Sequence, residues 1–270
     1  MGPSAPQNSW EWIVLFLDQY GSAFAKGAVL TLQIAVISTL IGCIIGFVVG
    51  MIQTIEMGKS DPLWKRITLK IVNILLAVYV EVFRGTPMMV QAMVVYYGSD
   101  ALFGLNLNPI LAGYIVVSVN TGAYMAETVR GGIMSVSNGQ IEAAKALGFR
   151  HTATMVNIIL PQALLNILPQ IGNNLIINIK DTSVLNVIAC SELFFTTKSV
   201  TGTYWRFFEP FLIACVIYLF MTFTLSRLLR LMEKKLQGPR SYQLVTDFMD
   251  DTYGNGSAVI DMKKGFERRR

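Results

Sequence analysis

Long apolar segments separated by short polar ones dominate the chain, and the apolar residues fill whole helical turns rather than alternate positions. About 20 such residues cross the ~30 Å hydrocarbon layer as a helix, whereas a barrel strand would alternate at every second residue. The pattern therefore predicts an all-α integral membrane protein. We predict five transmembrane helices, at about residues 27–52, 67–97, 109–126, 167–188 and 210–231.

Several segments lie outside these predicted spans, and four of them bear on the organisation of the chain. Residues 1–26 are rich in aromatics and lack a basic start, which predicts a short helix at the membrane interface rather than a signal peptide. Residues 138–161 form a polar loop between spans 3 and 4, and residues 189–209 form an aromatic loop before span 5. Residues 237–270 are a polar tail whose mixed charges predict weak order, so residues 27–236 make up the transmembrane domain.

Small residues in two spans predict how the helices pack. In span 1, Gly42, Gly46 and Gly50 recur at every fourth position, which permits close helix packing. A loosely packed helix that tolerates glycine is nearly as good an interpretation. In span 3 a small and polar stripe follows helical spacing and predicts a face turned to protein or water: Ser118, Thr121, Gly122 and Met125.

Composition supports membrane insertion and sets the orientation. The chain is 53% hydrophobic and 14% charged, against about 25% charged residues in soluble domains. An external N-terminus puts 17 of the 22 lysines and arginines in inner segments, with only Lys26, Lys198 and Arg206 outside and Arg84 and Lys180 within spans. The positive-inside rule therefore predicts an external N-terminus and a cytoplasmic C-terminus. This placement explains the net charge of +5 without a nucleic-acid partner.

The reactive residue types give no catalytic or metal-binding pattern. His151 is the single histidine, and Cys43, Cys190 and Cys215 have neither paired nor ligand-like spacing. The tripeptide at residues 58–60 imitates the end of a Walker A loop but lacks the glycine that should begin it. We therefore predict no metal site, no cofactor and no ATP hydrolysis by this chain.

Polar residues within the spans are candidates for a transport pathway, because charges in lipid are costly unless they are paired or hydrated. Glu81 and Arg84 are three residues apart and predict an ion pair, beside a kink at Pro87. On span 4 a polar stripe predicts one face able to bind a carboxylate and an ammonium group. The alternative is a structural polar network. The candidate pathway residues are Glu81, Arg84, Thr121, Asn174, Asn178, Lys180 and Asp181.

The loop at residues 138–161 has a pattern unlike that of a flexible linker. Residues 142–147 favour a helix, Gly148 permits a sharp turn, and residues 149–160 are again apolar and helical until Pro161. We predict two short helices that meet at Gly148. The small pair Ala143-Ala144 would let another surface approach the backbone closely.

This loop resembles the EAA loop of ABC importer permeases. The glutamate and two alanines, the glycine four positions later, and the final Ile158, Leu160 and Pro161 are all present at the family spacing. An ordinary amphipathic loop helix is the alternative interpretation. The resemblance implies a coupling helix that docks into a cytoplasmic ATPase through Glu142, Ala143, Ala144, Gly148 and Pro161.

Further motifs in spans 2 to 4 are similar to those of the polar amino acid uptake permeases. They are Glu-Val-Phe-Arg-Gly-Thr-Pro at 81–87, Asn-Thr-Gly-Ala-Tyr-Met-Ala-Glu at 120–127 and Lys-Asp-Thr-Ser at 180–183. The resemblance implies a type I ABC importer permease in a bacterial cytoplasmic membrane. It further implies a second permease chain, two ATP-binding subunits that hold ATP and Mg, and an extracytoplasmic substrate-binding protein.

The resemblance also bears on the substrate. In relatives that carry cationic amino acids, an acidic residue can occupy the position of Asn174. Because this chain has no acidic residue there, the resemblance favours a neutral or acidic polar amino acid as substrate, such as glutamine, asparagine or glutamate. Two other functions remain open. One is a secondary transporter driven by an ion gradient, for which internal repeats would be expected, and the other is a membrane sensor or channel subunit.

Overall fold

The computed structural model describes residues 6–55 and 62–237, and every regular element in these ranges is helical. Apart from Gln237, the tail predicted at 237–270 lies outside the described residues. A single helical stretch joins α6 to α7 through a π-helical turn (Met155–Ile159) and ends in a 3-10 segment (Thr182–Ile188). The helices are α1 (Ser9–Gln53), α2 (Leu63–Gly85), α3 (Met88–Phe103), α4 (Pro109–Met134), α5 (Asn138–Ala146), α6 (His151–Thr154), α7 (Leu160–Asp181), α8 (Leu193–Tyr204) and α9 (Phe208–Gln237).

Four helical stretches of the described residues are long and apolar enough to cross a membrane: Ser9–Gln53, Pro109–Met134, His151–Ile188 and Phe208–Lys235. They contain four of the five predicted spans. The predicted second span is divided between α2 and α3, and neither half qualifies, because α2 carries several charges and α3 has only 16 residues.

Helix α1 joins the predicted interfacial segment to the first predicted span without a break. The Asn8 side chain caps its N-terminus by accepting a hydrogen bond from the Glu11 amide at 2.9 Å. Its 45 residues extend over roughly 68 Å, about twice the hydrocarbon thickness. The boundary predicted at residue 26 is therefore not a helix end, and Phe16 and Phe24 in this first half are fully buried in one core cluster with Leu193 of α8.

The glycine-bearing face of α1 packs directly against α4, which confirms the close packing predicted from its spacing. A Cβ atom at Gly42 would lie 2.6 Å from the Thr121 Cβ, and one at Gly46 would overlap the Met125 Cβ. The stripe on α4 is buried as predicted, with Ser118 and its neighbours facing α1 and α7 rather than lipid. The glycine spacing of α1 and the small and polar stripe of α4 thus form the two sides of one helix–helix interface.

Proline affects two predicted helices differently. At Pro87 the predicted kink is a complete break, since Thr86 is extended and α3 begins one residue after the proline. At Pro161 the predicted helix end is wrong, because one helical stretch runs through this residue from α6 to α7. The π-helical turn before it carries the chain on without a break.

Helix α8 forms within the segment predicted as a loop at 189–209, and Glu192 holds it in place. The Glu192 carboxylate accepts hydrogen bonds from the Phe194 and Phe195 amides at 2.9 and 2.8 Å, capping the helix. It also accepts from the Tyr218 hydroxyl of α9 at 3.0 Å and from the Thr31 hydroxyl of α1 at 3.3 Å. Burial raises the pKa of the Glu192 carboxyl above its usual 4.5, an effect that these four donors partly offset.

Candidate functional site

The broken helix α2/α3, the middle of α4 and the C-terminal half of α7 enclose a polar groove with a volume of about 590 Å³. We call it the central groove. Helix α4 forms its floor, while the break and α7 form its two walls, since α2 and α7 each pack against α4. Its lining residues are Arg84, Gly85, Thr86, Pro87, Met88, Asn120, Thr121, Tyr124, Gln170, Asn174, Ile177, Asn178 and Asp181.

Two amides compensate for the hydrogen bonds lost at the helix break. The Gln91 side chain donates to the carbonyls of Phe83 and Thr86 at 2.9 and 3.0 Å. The Asn120 side chain donates to the same Phe83 carbonyl at 3.0 Å and to the Gln91 side-chain oxygen at 3.0 Å. Broken helices are tolerated at membrane depth only where such partners satisfy the backbone. The break therefore has a fixed geometry and presents residues 85–88 to the groove.

Asn178 and Asn174 lie on the α7 wall, where the sequence places them, and both are nearly buried, at 5% and 7% exposed. The Asn178 amide donates to the hydroxyls of Thr39 and Thr121 at 2.8 and 2.9 Å, which links α7 to α1 and α4. The Asn174 amide donates to the Gln170 carbonyl at 3.1 Å. Asn178 therefore belongs to a structural polar network and also lines the groove.

The ion pair in the groove differs from the predicted one. Arg84 pairs with Glu127 of α4 rather than with Glu81, and its guanidinium lies 5.4 Å from the centroid of the Tyr124 ring. Glu81 does not line the groove. The three-residue spacing within one helix predicted Glu81 as the partner, but the contact between α2 and α4 brings Glu127 to Arg84 instead. Glu127 and Tyr124 were therefore missed, although both stand in the motif at 120–127.

Adjacent charges on α7 point into different places. Asp181 lines the central groove. Lys180 lines a separate, smaller cavity of about 280 Å³ between α7 and α9, together with Arg227 and Arg230. Of the seven predicted pathway residues, the structure thus brings Arg84, Thr121, Asn174, Asn178 and Asp181 together in one groove and leaves Glu81 and Lys180 outside it.

The polar loop at 138–161 has the predicted turn. Gly148 adopts a left-handed φ of +78°, and its amide donates to the Lys145 carbonyl at 3.0 Å while the Phe149 amide donates to the Ala144 carbonyl at 3.0 Å. This pair of bonds is the Schellman motif that ends α5, and it requires a residue that tolerates positive φ. The second helix of the loop is longer than predicted, because α6 continues into α7.

Helix α5 is buried on one face and exposed on the other. Ala144 is 2% exposed and Ile141 packs against the core cluster that contains Val136 and Ile159, whereas Glu142 and Ala143 are exposed. Only one alanine of the predicted pair therefore faces outward. Gln162 of α7 donates a 2.6 Å hydrogen bond to the Gln140 side chain, which links α5 to α7.

Groups of histidine, cysteine, aspartate or glutamate that could hold a metal ion are absent from the part of the chain that the structure describes. A groove with a satisfied helix break on one wall and amides on the other is typical of a transport protein.

Residues 67–238 match the family described as binding-protein-dependent transport system inner membrane component. The chain belongs to this family. It is therefore a membrane-embedded transport subunit of multi-pass type, and not an enzyme.

Individual relatives agree with this assignment. The chain is 36% identical over 213 residues to the glutamine transport system permease protein GlnP of Escherichia coli strain K12, covering 78% of this chain and 92% of the relative. It is 33% identical to the arginine transport system permease protein ArtQ of Bacillus subtilis strain 168, with 78% and 91% covered. A crystal structure described as an amino acid ABC transporter with histidines superimposes with a TM-score of 0.73 at 33% identity, covering 82% of this chain and 97% of the other.

Proposed function

We propose that this chain is the membrane-spanning permease of an ATP-driven importer for polar amino acids in a bacterial cytoplasmic membrane. Similarity over 91–92% of the length of glutamine and arginine permeases supports this function. The observation that carries it is the central groove, whose donors and acceptors suit a substrate with both a carboxylate and an ammonium group. Two ATP-binding subunits with ATP and Mg, a second permease chain that is identical or homologous, and an extracytoplasmic substrate-binding protein complete the proposed assembly.

The proposed topology has five spans, an external N-terminus and a cytoplasmic C-terminus. The basic residues favour this orientation through the positive-inside rule. It puts α5 on the cytoplasmic side, where a soluble ATPase can reach it. The broken α2/α3 then makes one crossing in two pieces, as helices that line substrate sites in transporters often do.

Within the groove, we assign the substrate carboxylate to Arg84 and the amides of the α7 wall, and the ammonium group to Asp181. Arg84 is already paired with Glu127, so a substrate carboxylate would compete for a positioned guanidinium rather than for a hydrated one. A basic side chain would need a further acid, which the α7 wall does not supply at Asn174. We therefore favour a neutral or acidic polar amino acid, such as glutamine, asparagine or glutamate.

The coupling mechanism assigns α5 to the ATPase contact. Its exposed Glu142 and Ala143 would dock into the partner, Ala144 would anchor the helix, and the Gly148 turn would hold the angle between α5 and α6. Closure of the two ATPases would then move the 138–161 loops together and turn the groove from inward-open to outward-open. Pro161 begins the helix that carries this movement to the groove.

Glu142→Arg reverses a charge on the exposed face of α5 and can be tested in proteoliposomes that contain the whole transport system. We expect loss of ATP-dependent uptake and at least about a tenfold loss of ATPase pull-down, because a reversed charge in a docking surface is costly. Gln140→Arg is unsuitable as a control, because Gln140 forms a hydrogen bond with Gln162. The matched control is Lys145→Arg, which keeps the charge on the same helix and should leave uptake and ATPase pull-down within about twofold of wild type.

The same experiment separates the alternatives. Uptake that needs ATP and a second, Walker-A-bearing chain supports the proposed function. Uptake by the wild-type chain driven by a proton or sodium gradient alone would favour a secondary transporter, and no uptake under either condition would favour a sensor or channel subunit. Normal ATPase binding by the Glu142→Arg variant would remove α5 from the coupling role.

A further inference from the structure

A second cavity, of about 400 Å³, lies at one end of the bundle between α1, α4, α5 and α6. We call it the basic pocket. Arg130, Lys145 and His151 line it, and its lining contains no aspartate or glutamate. Among the described residues, neither Arg130 nor Lys145 forms an ion pair or a side-chain hydrogen bond. The pocket therefore combines two positive charges that nothing neutralises with an imidazole, which is the charge pattern of an anion site.

The basic pocket lies where the membrane-spanning helices end. Helices α1 and α4 run parallel, as their successive glycine contacts show, and the last of these contacts joins Gly50 to Val129. Gln53, the last residue of α1, therefore lies beside the C-terminal end of α4, and it lines the pocket together with Arg130. In the proposed topology this end of the bundle faces the cytoplasm, at the level where the hydrocarbon layer is replaced by lipid headgroups.

The residues of α5 that line the pocket differ from those assigned to the ATPase. Asn138, Ile141 and Lys145 line the pocket and follow helical spacing. Glu142 and Ala143 are exposed and do not line it. Glu142 is three residues from Lys145, but no ion pair joins the two side chains. An anion held by Lys145 therefore leaves Glu142 and Ala143 free to contact a partner.

The chemistry of the lining selects the kind of anion. An amino acid is a poor fit, because its ammonium group would find no acid in the lining. A phosphate group presents acceptors alone, and it suits cations together with the amide donors that Gln53 and Asn138 supply. Met134 adds an apolar edge that is 73% exposed, where an acyl chain would fit. Basic pockets between transmembrane helices on the cytoplasmic side are typical sites for anionic lipid headgroups.

We propose that the basic pocket binds a phosphate group, which bridges Arg130 of α4 and Lys145 of α5. Such a bridge ties the proposed coupling helix to the central helix of the bundle, and it neutralises two charges that otherwise repel each other. Two sources offer this group at the cytoplasmic surface, the headgroup of an anionic phospholipid and soluble phosphate. The inference goes beyond the proposed function and rests on it only for the side of the membrane on which the pocket lies.

Lipid binding to the full-length chain tests the site. After delipidation in a neutral detergent, the chain is titrated with dioleoylphosphatidylglycerol or with zwitterionic dioleoylphosphatidylcholine, and bound lipid is counted by native mass spectrometry. We expect tighter binding of phosphatidylglycerol, and a loss of about fivefold in its affinity for each of Arg130→Gln and Lys145→Gln. Two matched controls should stay within about twofold of wild type: Arg150→Gln, which removes the same charge from a residue outside the lining, and Lys145→Arg, which keeps the charge.

Inorganic phosphate alone is the second probe, and its readout is the thermal unfolding midpoint of the same variants. A rise in the wild type that Arg130→Gln and Lys145→Gln abolish, without selective binding of phosphatidylglycerol, assigns the site to soluble phosphate. Because both side chains lack a partner among the described residues, neither substitution should lower the midpoint in the absence of a probe. A lost response is therefore separable from misfolding.

Three results would overturn the phosphate site. They are no response of the wild type to either probe, equal responses of the wild type and both pocket variants, and an equal loss in Arg150→Gln. Any of them, with ATP-driven uptake intact in the wild type, overturns the site alone. Absent ATP-driven uptake overturns the proposed function, and the binding experiment, which needs no ATPase, still decides the site.

Discussion

At the residue scale, Glu192 is the side chain that joins one end of α1 to α8 and α9. Its carboxylate binds donors from α1, α8 and α9, so three helices that are distant in sequence meet at one group. The side chain is fully buried and lies outside the central groove. Such a buried acid is stable only while its hydrogen bonds are complete.

The raised pKa of Glu192 predicts a dependence of stability on pH. A carboxyl whose pKa is higher in the folded protein favours folding most below its ordinary value of 4.5, and this contribution is lost as the pH rises through the folded pKa. We expect the thermal unfolding midpoint of the detergent-solubilised chain to fall as pH rises above 4.5. Glu192→Gln, which cannot ionise, should flatten this slope, while Glu11→Gln, an exposed acid at the start of α1, should leave it unchanged. An equal slope in Glu192→Gln would assign the dependence to other groups.

At the scale of elements, the α1–α4 pair and the broken α2/α3 position the groove. The glycine face lets α1 approach α4 closely enough for Thr39 and Thr121 to bind one asparagine, Asn178, between them. The break places backbone and Arg84 on the opposite wall. Because α4 contacts both walls, an error in its packing would change the width of the groove.

Close packing at Gly46 can be tested by adding a side chain. Gly46→Val should destabilise the bundle by about 1–3 kcal/mol, because its Cβ would overlap Met125 and overpacked cores cost that much. Gly131→Val in α4 is the matched control, since no other atom lies within 4 Å of its added Cβ and only helix propensity changes. The readout is thermal unfolding in detergent. Equal midpoints for the two variants would mean that α1 and α4 are not in close contact at Gly46.

At the scale of the whole molecule, the central groove is open on one side. Its walls belong to helices far apart in sequence, and its floor is the central helix α4. In the proposed assembly, substrate capture and substrate passage are properties of different chains. In the proposed function, the binding protein would capture the substrate and the groove would determine how it crosses.

Asn174→Leu tests that separation. Loss of the amide from the groove wall should reduce ATP-driven glutamine uptake at least about tenfold, since a buried polar substrate group left unpaired is costly. The affinity of the substrate-binding protein for glutamine, measured by calorimetry, should be unchanged. Asn166→Leu is the matched control, because this exposed α7 asparagine bonds to Ser135 and lies outside the groove. Uptake equal to wild type in Asn174→Leu would exclude that residue from the pathway.

The sequence by itself determined the class, the helical architecture and the turn at Gly148. Hydrophobic runs, glycine spacing and a positive-φ turn depend on neighbours within one helix or loop, so they can be read from the order of residues. For the same reason the buried stripe on α4 and the shared face of Asn174 and Asn178 were predicted correctly.

Only the tertiary structure decided which charges meet. Arg84 pairs with Glu127 across two helices instead of with Glu81 within one, and the adjacent Lys180 and Asp181 face different cavities. The helices likewise continue past residue 26 and past Pro161. This continuity depends on packing partners that the residue pattern of one helix does not reveal. Contacts between helices depend on their relative rotation and depth, and no spacing along one helix specifies these.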